Sequence, residues 1–459
     1  MFDLRKYFNT DKINFVYGPY FKKLRNCKVV YNLSDNDPNF KSGRNVHYYN
    51  FLENHIAKTA NNTHCIQRER FKEITNYIHG LENKFTESLL KKLDPAVCNV
   101  FVIAVSEGPY WWLDGLRPDG TSGQNLFDII KEKMPKFFWM LKKTNMHLWI
   151  DQSCEGYPLE NHYDFIHNYF EKEKSDVSKL HFVTSNLYEQ KIYNSWKEKN
   201  DKTVGFNIVA KPFFSDMRWE VTQNNINVEI QKKYKADNSH KIKLFNCLNR
   251  RGRPDRITFL MYLNYYNLLE NNLVSAGDQC NSIISNAQSR NGQSFDKKIL
   301  NKKNQVNFCN KVPIVLDESN FDINFAGNLN YELYLNSWFT ITSETFVSEY
   351  PGKSMFFSEK TFKPIATCTP FIMVAAPKSL ETLKKLGYET FHDIIDESYD
   401  NILDRSQRFE KICSILLGLN KLTSQQLYSM YCKVEDILQH NQNLWYNSHG
   451  KHEEEILHL

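Results

Sequence analysis

Several signatures are missing from this 459-residue chain, and each absence removes a class of function. No Cys-x-x-Cys occurs among the ten cysteines, which stand apart at 27, 65, 98, 154, 247, 280, 309, 368, 413 and 432. That spacing excludes the paired-ligand zinc modules and gives no disulfide framework, and it predicts a reducing compartment. There is no Gly-x-x-x-x-Gly-Lys-Ser/Thr and no Gly-x-Gly-x-x-Gly, which argues against P-loop ATPases and dinucleotide oxidoreductases. Without a Gly-x-Ser-x-Gly elbow, serine hydrolase chemistry has no support. No window approaches the roughly 20 apolar residues of a membrane span. The opening Met1-Phe2-Asp3-Leu4-Arg5-Lys6 lacks the apolar core of a signal peptide. The expectation is a cytoplasmic protein. Internal repeats and low-complexity tracts are also missing.

What is present is a globular composition, 41% hydrophobic and 14% aromatic, ample for a large core. The net charge of +5 and pI near 8.4 are too mild to indicate nucleic acid. At roughly 100–200 residues per domain, the length suggests two or three domains. Residues 1–95 are polar and weakly patterned, with a helix predicted from about Arg70 to Leu93. Apolar runs then alternate with helical periodicity. Strands are predicted at 97–105, 146–150, 180–184 and 205–209, and helices at 124–143 (with Pro135 a possible break), 160–173 and 187–197. A polar stretch over 215–240 reads as a linker. Strands at 242–248, 273–276, 338–342 and 370–374 follow, with helices at 254–269, from about 359, 379–386, 405–419 and 423–440. Residues 278–325 read as an insertion with partial structure.

This alternation predicts an α/β protein with two Rossmann-like domains facing a cleft, plus extra helical segments at both ends. The expected boundaries are 1–235 for an acceptor-side domain, 241–425 for a nucleotide-sugar domain, and 426–459 for a C-terminal helix and tail. In such sheets ligands bind beyond the C-terminal strand ends, where the strand order reverses.

Two segments carry chemistry. Between Lys241 and Arg256 stand six basic residues and one acid. Arg250, Arg251, Arg253 and Arg256 directly follow a buried strand, and Pro254 suits a first helical turn. Guanidinium groups and a helix N-terminus both favour phosphate, and Gly252 permits close backbone approach. Farther on, Ser343-Glu344 ends a strand and Ser358-Glu359-Lys360-Thr361-Phe362-Lys363 opens a helix with Ser358 as N-cap. Glu359 there can accept ribose hydroxyls, and Lys360 and Lys363 can reach a diphosphate.

Ser343-Glu344, Ser358-Glu359-Lys360-Thr361-Phe362 and Pro370-Phe371-Ile372 together resemble the C-terminal signature of the family-10 glycosyltransferases, the α-1,3-fucosyltransferases. The likeness spans about residues 240–400. It departs at Ser343-Glu344, where the family's Asn is missing. The resemblance implies a GT-B fold, a GDP-fucose donor as co-substrate, inversion at the anomeric carbon, and neither cofactor nor metal. It places the diphosphate contact at Arg250 to Arg256 and the Glu-Lys pair at Glu359 and Lys360. An inverting transfer needs a carboxylate base. Glu107, in a Glu-x-Pro segment similar to the family's acceptor side, is the first expectation, with Asp151 and Glu155 as alternatives. Trp111, Trp112 and Tyr157 are the expected acceptor platform. The acceptor is expected to be a hydroxyl of a glycan or another molecule. A modified DNA base is a second option, though no groove-reading signature supports it. A binding protein without turnover is the rival from another class. His162, His167 and His181 show no ligand or triad spacing and read as ordinary histidines.

Overall fold

A computed structural model describes residues 111–115, 125–133, 135–153, 155–216, 243–249, 252–277, 299, 301–316, 329–348 and 351–447, together with the backbone of strands at 13–17, 64–65 and 98–104. The helix expected over 70–93, the linker and most of the 278–325 insertion lie outside the described residues. The chain divides into two compact units. Unit 1 comprises Met1–Phe213, Gly352–Phe356 and Gly450–Leu459, and unit 2 comprises Phe214–Pro351 and Phe357–His449.

Unit 1 is built on a six-stranded sheet. Its strands are β1 (Ile13–Tyr17), β2 (His64–Cys65), β3 (Cys98–Ala104), β4 (Met146–Gln152), β5 (Leu180–Thr184) and β6 (Asn207–Ala210), in the order β2-β1-β3-β4-β5-β6. Every pairing is parallel. The helices α1 (Trp111–Asp114), α2 (Leu126–Lys133), α3 (Phe137–Lys143), α4 (Tyr163–Lys172) and α5 (Glu189–Lys199) connect them. The helix expected over 124–143 is divided into α2 and α3, with Pro135 between them, a residue that has no N–H to continue the ladder.

Aromatic residues fill this core. Phe127 meets Phe170 edge-on at 5.4 Å, and Tyr193 lies 4.1 Å from Phe206. Burying each such side chain contributes about 1.5–3 kcal/mol. The 352–356 segment joins unit 1 through Asn186. The Asn186 amide donates to the Lys353 carbonyl at 2.8 Å and accepts from the Met355 N–H at 3.0 Å. Phe356 approaches Gly156 so closely that a Cβ there would fall 2.5 Å from the Phe356 side chain.

Unit 2 has a four-stranded parallel sheet of β7 (Lys243–Asn249), β8 (Leu273–Ala276), β9 (Ser337–Ser343) and β10 (Phe371–Val374), ordered β10-β9-β7-β8. Strands β9 and β10 are buried at every residue, as expected for strands covered on both faces. Its helices are α6 (Pro254–Tyr265), α7 (Lys302–Cys309), α8 (Tyr331–Leu335), α9 (Glu359–Ala366), α10 (Ser379–Lys385), α11 (Arg405–Leu419), α12 (Ser424–Lys433) and α13 (Glu435–Asn447). Right-handed crossovers leaving β7 and β9 in opposite directions put α6 and α9 on opposite faces. Accordingly α6 packs with α7 and α11, and α9 packs with α13. Residues 426–447, expected as a separate tail, therefore belong to unit 2. The Gln442 side chain donates to the Ala366 carbonyl at 2.8 Å, and Trp445 is fully buried.

Candidate functional site

In unit 2 the chain runs from β7 out to β8 and then returns to the other side of β7 to form β9. The loops after β7 and β9 therefore diverge at the C-terminal edge of the sheet, the geometry of a ligand-binding switch point. The basic loop and Ser343-Glu344 are these two loops. Arg250 and Arg251 lie outside the described residues. Arg253 is half-buried and extended (φ −118°, ψ 152°) as the N-cap of α6, with Pro254 opening the helix. Its side chain makes no capping bond, and a helix N-terminus carries the end of the dipole that favours an anion. Beneath the loop, Asn249 is fully buried. Its Nδ2 lies 3.1 Å from Cys247 Sγ, and its Oδ1 has no partner among the described residues.

The structure turns three of the expected ligands inward. The Arg256 side chain is 3% exposed, and its Nε donates to the Glu344 carbonyl at 3.1 Å. Glu344 is fully buried, and its carboxylate accepts from the Ser358 N–H at 3.1 Å and the Thr361 hydroxyl at 2.6 Å. Ser343 is likewise buried, with its Oγ 3.9 Å from Cys247 Sγ. Ser343 and Glu344 were expected to bind the nucleotide-sugar. Ser343 ends β9 and Glu344 follows it, and the Glu344 carboxylate serves the start of α9, because an amide and a hydroxyl buried there need an acceptor. One chain of bonds, Arg256 to Glu344 to Ser358, thus joins the N-terminus of α6 to that of α9.

The first turns of α9 present the remaining charges. Ser358 caps the helix by accepting from the Lys360 N–H at 3.4 Å. Lys360 Nζ lies 2.6 Å from Glu359 Oε1, with side chains 23% and 16% exposed. Burial works to raise the Glu359 carboxyl, but Lys360, Lys363 and Arg256 outweigh it and hold the group at about 2. Burial pushes the Lys360 ammonium below its ordinary value, while Glu359 opposes. Burial also brings Lys363 down to about 8, against the pull of Glu359. The turn thus offers an ionised acceptor and two partly desolvated cations.

Unit 1 has its own switch point, between β1 and β3. β3 ends at Ala104, just before Glu107, which is outside the described residues. Trp111 and Trp112 open α1, and Asp151 lies on β4 paired with Ala104 and Val183, but the side chains of all three are outside the described set. Glu155 is half-buried in the turn after β4. Its N–H donates to the Gln152 carbonyl, and its own carbonyl accepts from Ser185, each at 3.0 Å. The Tyr157 ring packs against the unit 1 core.

Two of the three histidines read as ordinary are tied by neighbours. His167 lies 2.8 Å from the Tyr193 hydroxyl, and His181 lies 2.9 Å from His147. His162 has a charged partner that sequence reasoning missed, Asp114. Residues so far apart in the chain leave no spacing signal.

No family model and no curated protein matches the chain. Among solved structures, it is similar to the α,α-trehalose-6-phosphate synthase of Burkholderia multivorans at 7% identity and a TM-score of 0.36, over 82% of this chain and 74% of that one. It is also similar to the N-terminal domain of a Candida albicans trehalose-6-phosphate phosphatase at 10% identity and a TM-score of 0.33, over 84% and 97%. Likenesses at these scores say nothing about this chain's activity. Among the described residues, no helix is long and apolar enough to cross a membrane, and no three His, Cys, Asp or Glu side chains gather as a metal site.

Proposed function

We infer that unit 2 binds the diphosphate and ribose of a nucleotide-sugar, and that the protein transfers the sugar to a hydroxyl of a glycan or another acceptor. The observation that carries this reading is the bonded chain Arg256–Glu344–Ser358, which fixes two helix N-termini and the Glu359–Lys360 pair at one switch point. Glu359 is ionised and suited to accept from two vicinal ribose hydroxyls. Lys360, Lys363 and Arg253 supply positive charge where the diphosphate leaves, so that negative charge developing there is stabilised by groups already in place. With those cations the leaving group needs no metal, and the reaction is a metal-independent, inverting displacement in which a base removes the acceptor proton. The family-10 resemblance makes GDP-fucose the first donor to test and a GT-B arrangement the matching fold.

Thermal-shift measurement across a panel of nucleotide-sugars tests the reading. A donor binding well below millimolar raises the melting midpoint by mass action, and Glu359→Ala is expected to erase that shift. If no nucleotide or nucleotide-sugar moves the midpoint at millimolar concentration, the reading is wrong.

A further inference from the structure

The first turn of α6 answers two opposing demands. It follows the Arg253 N-cap, where the nucleotide-sugar reading puts positive charge beside the donor diphosphate, yet it carries an acid, Asp255. A carboxylate in a first turn complements the helix dipole and steadies the helix. The same charge repels an anion bound at that turn.

Asp255 is buried, and both of its oxygens are engaged. Oδ2 accepts from the Ser348 N–H at 2.9 Å and from the Ser348 hydroxyl at 2.7 Å. Oδ1 accepts from Nη1 of Arg405, the first residue of α11, which stands 150 residues farther along the chain. The two side chains are each 7% exposed, so salt screens the pair little. Asp404, the residue before Arg405, serves its own helix by accepting from the Gln407 N–H at 2.8 Å. Arg408, on the same turn of α11, donates to the Val347 carbonyl at 3.0 Å, and Arg256 donates to the Glu344 carbonyl at 3.1 Å. Side chains from the first turns of α6 and α11 thus grip the loop 344–348 that leaves β9.

We propose that Arg405 is a positioning residue of the donor site: its guanidinium neutralises Asp255, so that the N-terminus of α6 can take the diphosphate, and through Asp255 it holds Ser348. This inference rests on the nucleotide-sugar reading above. It separates from a plain structural clamp by sign. Breaking a clamp from either end loosens the same loop, so both single substitutions would weaken donor binding. If neutralisation is what matters, loss of the arginine leaves a negative charge at the turn and loss of the acid leaves a positive one. The two substitutions then act in opposite directions on a bound anion.

Calorimetric titration into the full chain tests this, with GDP or the nucleoside diphosphate of whichever donor shifts the melting midpoint. Arg405→Gln is expected to weaken binding by about 10- to 100-fold, the effect of a unit charge roughly 6–12 Å from the anion at an effective dielectric of about 20. Asp255→Asn keeps an acceptor for Ser348 and is expected to bind as tightly as wild type or tighter. The double substitution should recover most of the affinity lost in Arg405→Gln. Should Arg405→Gln fold poorly, Asp255→Asn and the double variant decide, both expected at wild-type affinity or better. Wild-type affinity in Arg405→Gln, weakened binding in Asp255→Asn, or a double variant as weak as Arg405→Gln overturns the inference and leaves donor binding intact. A wild-type protein that binds no nucleoside diphosphate or nucleotide-sugar overturns the nucleotide-sugar reading itself, and the role of Arg405 with it.

Discussion

The two units share a construction and differ in what they place at its edge. Each is a parallel sheet with one strand-order reversal, at β1/β3 in unit 1 and β7/β9 in unit 2. At the unit 2 edge stand cations and one carboxylate held ionised by them. At the unit 1 edge a histidine, His162, lies 3.0 Å from Asp114, and Glu160 pairs with Lys353. A parallel sheet decides where a ligand can bind, and the loop side chains decide which one. The charges at the unit 2 edge suit an anion, whereas the described unit 1 edge sets a histidine beside a carboxylate.

Changes in unit 2 should therefore alter donor affinity, and changes in the unit 1 core should alter stability. The largest effect is expected from Lys360→Ala. Losing a hydrogen bond to a charged group costs about 1.5–3 kcal/mol, which is roughly 10- to 100-fold in donor Kd by calorimetry. Next is Tyr193→Phe in unit 1. The Tyr193 hydroxyl meets His167 Nε2 at 2.8 Å and accepts from the Phe206 N–H at 2.9 Å. Removing it leaves buried groups unpaired, at a cost of about 1–3 kcal/mol in denaturant unfolding, with donor affinity unchanged. A large loss of donor affinity in Tyr193→Phe would break the division of labour between the units.

Smaller still is Arg253→Ala, expected to weaken donor binding severalfold, or about 1 kcal/mol. Ionisation gives the mildest signals. Lys363 loses its proton above pH about 8, so donor affinity should fall by at most about tenfold per pH unit above that point and stay level below it. Lys363→Arg should flatten the decline. In unit 1, burial raises the Glu189 carboxyl from 4.5 to about 7, against its bonds from Tyr163, Leu159 and Asn186. The folded protein then binds more protons than the unfolded chain between those values, so stability should fall as pH rises from about 4.5 to 7. Glu189→Gln should remove that slope.

Much of the sheet framework was legible because parallel strands buried on both faces read as continuous apolar runs. The run at 97–105 became β3, 180–184 matched β5, and 338–342 became β9. β1 and β2 were missed. They lie in the polar stretch 1–95, and β2 has only two residues, too short for any pattern. Helix α7 went unread inside the 278–325 insertion, and the single helix expected over 423–440 is divided at Val434 into α12 and α13.

The site was legible where charge density and capping residues sit close together in the chain, as at 250–256 and 358–363. Proximity in sequence could not show which charges face inward. Arg256 and Arg253 look alike as letters, yet the first is buried and binds the Glu344 carbonyl, while the second sits half-buried at the N-cap position of α6 with no capping bond from its side chain. The His162–Asp114 contact was invisible for the opposite reason, since it joins loops from two different strands.

The most direct measurement of the central claim is a calorimetric titration of GDP-fucose and other nucleotide-sugars into the wild-type chain and Glu359→Ala. The account predicts a donor that binds the wild type well below millimolar and loses at least about tenfold in affinity when the Glu359 carboxylate is gone. Equal affinity in the two proteins, or no binding to either, would contradict it.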